Sequence, residues 1–220
     1  MHQIVVLIGF VLAIAASSWA QNSAAPSALN PLSLDGLVAA LAALPDRRGP
    51  APRTPFAVPH VQFDQNAPVV MQDILLAAVQ TLPDIVLWRE TPFSIPPAVG
   101  WVLPEDLRGG PENAYSPEGE FGHSHRPEDG SMHLRLPATV SRIVFERGWG
   151  ILHPFSAVVT GQKEVTYIMV YGPRDDDELA AVWAIVQASH AFARGLNLDG
   201  VTAVTPATWG ALKRVDSSSQ

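Results

Sequence analysis

The chain has 220 residues, 47% of them hydrophobic and 16% charged, which suits one well-buried core and is short for two. A formal charge of −7 without any Lys/Arg-rich run excludes the phosphate-neutralising stripe that nucleic-acid binding requires. The absence of cysteine excludes disulfides, thiolate chemistry and a lipobox lipid anchor.

In chain order, an apolar run over residues 4–16 leads into Ser17-Ser18-Trp19-Ala20 and then Gln21-Asn22, and the first charged residue is Asp35. This is the layout of a signal peptide over residues 1–20 cleaved after Ala20, so the chain is expected to be exported to a periplasmic or extracellular space. The segment before the apolar run carries no Lys or Arg, which leaves an uncleaved N-terminal membrane anchor as the alternative. A membrane is a partner only in that case. Residues 21–32, rich in Ser, Ala, Pro and Asn, read as a flexible tether. The domain is expected over 33–195, with 196–220 as a loosely attached tail.

Ser33 caps a short helix with Leu37, Val38, Leu41 and Leu44 at helical spacing, and Pro45 helps to stop it. A second apolar helix is expected over residues 69–81, then two strands at 85–88 and 99–103 with a Pro-rich connection, then a polar Gly/Pro loop over 108–119. Residues 120–125 and 131–136 alternate as the arms of a β-hairpin. Pro137 opens a helix that turns Val140, Ile143 and Val144 inward and ends at Gly148. Residues 165–171 read as a strand. The strongest helix spans 176–194, with three acidic residues in its first turn and an inner stripe of Leu179, Val182, Trp183, Val186, Ser189 and Ala193. Hairpins interleaved with helices predict a single α+β domain, a mainly antiparallel sheet with helices packed on one face.

Four of the seven histidines lie between Gly122 and Pro154. His123 and His125 are two apart on one strand and share a face. An odd-numbered hairpin loop would bring His133 to that face, whereas a four-residue loop over 127–130 would put it on the other; the turn residues favour four. With four, the pair would share the apolar face with Phe121, Met132, Leu134 and Leu136. Desolvation there would keep the rings neutral, the form a general base or a metal ligand needs. A metal, if one binds, would use His123, His125 and His133, although Glu128 stands one position short of a cupin ligand set. His153 follows a Gly-Trp-Gly turn. Trp149 reads equally as a substrate wall or as core, Arg174 as an anion anchor or a loop cap, and His60 and His190 carry no supporting context. No hydrolase elbow, phosphate loop or dinucleotide fingerprint is present.

The run Gly122-His-Ser-His125-Arg-Pro-Glu-Asp129-Gly-Ser-Met-His133-Leu-Arg-Leu136, then Glu146-Arg-Gly148-Trp149-Gly150-Ile-Leu-His153-Pro154, resembles the luciferase domain of bioluminescent fungi. Tyr171-Gly-Pro173-Arg174 and Ile185-Val-Gln-Ala-Ser189 continue the likeness. The resemblance implies an oxidoreductase that oxygenates a small enolic or phenolic compound with molecular oxygen and no organic cofactor. It would use His123 or His125 as the base, His133, His153 and Arg174 as donors, and Trp149, Tyr171 and Arg174 as substrate contacts. Glu128 stands where the fungal proteins carry a further histidine, and light emission is not implied. The alternative is a non-catalytic protein that holds a small molecule or metal in the same pocket.

Overall fold

The computed structural model describes residues 29–156 and 167–201. The expected leader, most of the tether and most of the tail lie outside the described residues. Among those described, no helix is long and apolar enough to cross a membrane.

Six strands form one antiparallel sheet: β1 (Val86–Arg89), β2 (Val99–Val102), β3 (Glu120–Ser124), β4 (Met132–Arg135), β5 (Gly150–Leu152) and β6 (Tyr167–Val170), in the order β1-β2-β3-β4-β6-β5. The α-helices placed among the described residues are α1 (Leu34–Ala42), α2 (Val69–Val79), α3 (Ala138–Glu146) and α4 (Asp176–Ala193). This is the single-domain α+β architecture anticipated from the sequence. The edge strand β5 follows directly on the Gly-Trp-Gly turn and has no counterpart among the strands expected from the sequence.

The helices start and stop where side-chain chemistry allows. Ser33 Oγ accepts from Gly36 N–H at the head of α1, and the Asp175 carboxylate accepts from Glu178 N–H at the head of α4. Gly148 follows α3 at φ 72°, a left-handed conformation that suits glycine. Helix α4 lies against β3 and β4, with α1 and α2 packed on it. It is therefore buried nearly all round rather than along one stripe. The core includes Leu41, Trp101, Leu134, Ile168, Val182 and Ile185. Leu198 and Val201 also join it, so the packed domain runs past residue 195. Asn30 and Leu32 hydrogen-bond α4 through Trp183 Nε1 and Gln187 Oε1, so the end of the expected tether is docked.

One irregularity positions the site. Trp101 pairs with Gly122, but the neighbouring Val102 pairs with Glu120, so Phe121 is an extra residue in β3. The bulge turns the Phe121 ring toward Trp101 and His190 on the helical side and sends Glu120 to the face that carries His123. The Phe121 carbonyl accepts instead from Ser189 Oγ at 3.0 Å, a hydroxyl that also lies 2.7 Å from Arg135 O. Ser189→Ala should leave both buried carbonyls without that donor and destabilise the fold by about 1–3 kcal/mol. Chemical denaturation is the check, with an unchanged midpoint as the contrary result.

Candidate functional site

The hairpin between β3 and β4 closes with five residues, 126–130. His125 N–H donates to Ser131 O at 2.9 Å, and Gly130 N–H donates to His125 O at 2.8 Å. The four-residue expectation fails because the Asp129 carboxylate takes the Ser131 N–H at 2.6 Å, leaving Gly130, at φ 72°, to serve the His125 carbonyl. The odd loop sets His123 opposite His133. His133 thus joins the face of His123, while Met132 and Leu134, opposite Ser124 and Gly122, point to the helical core. Phe121 leaves the histidine face through the bulge. The apolar companions expected around the histidines are therefore on the opposite face.

Five imidazoles gather on the side of the sheet opposite α4. His123 Nδ1 lies 2.7 Å from Glu120 Oε1, and its Nε2 lies 3.0 Å from His133 Nδ1. Glu120 Oε2 accepts from Thr91 Oγ1. Because the carboxylate can only accept, His123 carries its proton on Nδ1 and accepts at Nε2 from His133 Nδ1–H. His133 Nε2 is then a lone pair, buried and without a hydrogen-bond partner. His153, just beyond β5, stands edge-on to His133 with centroids 4.3 Å apart, and its Nδ1 accepts from Phe155 N–H. His60 completes the group, stacked on His133 at 5.4 Å and edge-on to His153 at 5.1 Å. No local pattern marked His60; it belongs to an irregular Pro-rich segment brought in by tertiary contacts alone.

Those contacts centre on Asp129. Its carboxylate, buried in the hairpin, accepts from Gln62 N–H as well as from Ser131 N–H, both at 2.6 Å, and lies 3.7 Å from His125 Nδ1. His125 Nδ1 also meets Ser131 Oγ at 3.0 Å. Gln62 in turn holds Gly172 N–H and the carbonyls of Asp64 and Gln65.

A cavity of about 590 Å³ opens over the cluster. His60, His125, His133 and His153 line it, whereas fully buried His123 does not. Of this pair, His125 reaches the cavity and His123 lies behind it. Glu120, Arg135 and Tyr167 line it too, and Val58, Phe93, Ile95 and Phe155 make its outer wall apolar. Arg135 was foreseeable, two residues after His133 on one strand face. Tyr167 follows only from its pairing with Arg135, whose guanidinium sits 4.9 Å from the ring centroid.

Trp149, Tyr171 and Arg174 are not among the cavity's lining residues. The Trp149 indole is core and donates to Pro45 O at 2.6 Å. Tyr171 is buried beneath Arg47, and its phenol is pushed up to about 12 by burial. Arg174 pairs with Glu178, which binds both its guanidinium and its backbone N–H, the loop-capping role. His190 packs on Phe121 and contacts Pro83 O.

Burial holds His60, His123, His133 and His153 below their usual pKa. His60 is lowered to about 4, by burial and then by His125, and His153 to about 3, by burial and then by His60. His133 is driven well below the ordinary value, first by burial and then by its histidine neighbours; His123 is lowered by burial against the opposing pull of Glu120. Burial likewise keeps the Tyr167 phenol protonated. Burial works to raise the Asp129 carboxyl, yet hydrogen bonding from His125, Gln62 and Ser131 outweighs it and holds the group below the usual range.

Two outcomes are expected. Below pH 6.5 the unfolded chain binds protons that folded His60 and His153 refuse, so stability falls as the pH drops from 6.5 toward about 4 and about 3 respectively. Each contributes a slope of up to about 1.4 kcal/mol per pH unit, and His60→Gln should remove one such increment in denaturation curves taken with chelator present. Asp129→Asn turns an acceptor into a partial donor facing two N–H groups. A loss of about 3 kcal/mol is expected by the same measurement; wild-type stability would contradict the role given to this carboxylate.

An antiparallel sheet backed by helices, with a buried imidazole cluster under a mostly apolar cavity on its other face, defines a single-domain α+β protein with an internal polar site. Residues 118–189 match the family model of the luciferase domain, and that stretch is similar to the family. The luciferase of Armillaria ostoyae is 26% identical over 158 residues, 66% of this chain and 59% of that one. Those of Armillaria gallica and Neonothopanus nambi are 34% and 33% identical over 70 residues, 32% of this chain and 26% of each of theirs. The matched parts thus cover less than two thirds of these relatives. No solved structure matches the chain. His123, His125, His133 and His153 fall inside the family stretch, and His60 and Thr91 fall outside it.

Proposed function

We propose that this chain is an exported, luciferase-like oxidoreductase that oxygenates a small enolic or phenolic compound with molecular oxygen. The observation that carries the reading is the convergence of His125, His133, His153 and His60 on one cavity, with two protonated donors beside them. A cavity of about 590 Å³ falls within the range of small-molecule sites, and its apolar outer wall suits a flat ring system. Export rests on the sequence of residues 1–20.

The chemistry follows from the proton positions. His125 Nδ1, held by Ser131 Oγ and faced by the Asp129 carboxylate, leaves Nε2 to take the acidic O–H proton of the substrate. Asp129 stabilises the imidazolium so formed. The enolate gives electron density to dioxygen, a C–O bond forms, and the proton returns from His125 to yield a hydroperoxide. Arg135 and the Tyr167 phenol, rather than Arg174, are the donors placed to stabilise the oxyanion and peroxide charge. The scheme needs no organic cofactor and includes no light emission.

Oxygen uptake with hydroxypyrones and enolisable phenols tests the proposal. Turnover should fall by about 10²–10⁴-fold in His125→Ala, the usual contribution of a general base, with the fold preserved by circular dichroism. Tight binding of such compounds without oxygen uptake would replace the enzyme reading with that of a binding protein.

A further inference from the structure

The cluster holds more ligating capacity than the proton chemistry uses. His60 is 2% exposed, yet among the described residues neither of its ring nitrogens has a hydrogen-bond partner. Among the same residues His133 Nε2 is buried and unpartnered. Buried polar groups are ordinarily satisfied, because an unmade hydrogen bond away from water is costly. Three such nitrogens on two stacked rings point to something that binds them. His60, His133 and His153 each present one nitrogen, all within 4.8 Å of one another, and all three rings line the cavity.

We propose that His60, His133 and His153 form a three-histidine site for a divalent first-row transition ion, of the class of Zn²⁺, Co²⁺ or Cu²⁺, with a further coordination position open to the cavity. Imidazole ligands suit this borderline class and do not suit Mg²⁺ or Ca²⁺, which require oxygen. Three protein ligands with an open position are also the pattern by which a metal receives an exogenous oxygen ligand.

The surroundings are built as a supporting layer. The Nδ1 of His133 is fixed by His123, which is fixed by Glu120, which accepts from Thr91. A chain from carboxylate to histidine orients a ligating ring and sets its tautomer. His153 enters by exchanging one local contact, that of its Nδ1 with Phe155 N–H. The other grouping of three, His123, His125 and His133, is less free to bind. Both nitrogens of His123 and one of His125 are already engaged. The proposed ion site leaves His125 available as a base, and an enolate oxygen of the proposed substrate would fit the open position. The metal site does not depend on that substrate, and its test needs no turnover.

The full chain, stripped with chelator and dialysed, is titrated with Zn²⁺ by calorimetry and with Co²⁺ by visible absorption. One saturable equivalent is expected, with a Zn²⁺-dependent rise in Tm and Co²⁺ bands of a low-coordinate nitrogen site. His60→Phe and His153→Phe, which keep a ring but remove the nitrogens, should each weaken Zn²⁺ binding by more than about a hundredfold, beyond the loss of an outer-layer partner. His125→Phe should bind as the wild type does. No saturable binding by folded protein overturns the proposal. So does binding that survives both His60→Phe and His153→Phe, or binding lost in His125→Phe but kept in His60→Phe, which would put the ion in the other group.

Discussion

The buried carboxylate of Asp129 is the constraint on which the rest of the site depends. By taking Ser131 N–H it fixes the hairpin at five residues, and that count decides on which face of the sheet His133 lies. By taking Gln62 N–H it draws an irregular segment over the sheet and delivers His60 to the cluster. It also faces His125. A single ionised group thus sets strand register, roof position and the environment of His125. Its charge tolerates burial because hydrogen bonds outweigh the desolvation penalty.

The elements were largely legible in the sequence because their signals are local. Ser33 and Asp175 cap helices, Gly148 ends one, and alternation around His123 and His133 marks a hairpin. What escaped depends on pairing across distance. The face of His133 turned on one residue of loop length, decided by a side chain that competes for a backbone N–H. The bulge at Phe121 has no sequence mark, yet it brings Glu120 to His123. His60 had no readable context, since its place comes from Gln62 and Asp129, 67 residues apart. Trp149, Tyr171 and Arg174 lie in the stretch that resembles the fungal proteins, but the structure gives them partners in the core and in a loop.

The two faces of the sheet carry opposite physics. On one, Leu134, Ile168 and their helical partners exclude water. On the other, burial and then the neighbouring imidazoles hold His60, His133 and His153 below their usual pKa. These three rings therefore present lone pairs rather than charge near neutral pH, the state that ion binding requires.

The roof of the cavity includes chain without regular structure around His60 and Phe93, while the floor is a sheet anchored to its helices. The roof contributes little to the hydrophobic core, so its residues and length are free to vary at small thermodynamic cost. The floor is tied to folding and is not. A fold partitioned in this way can vary the apolar wall of its cavity while the imidazoles carried by the sheet stay in place.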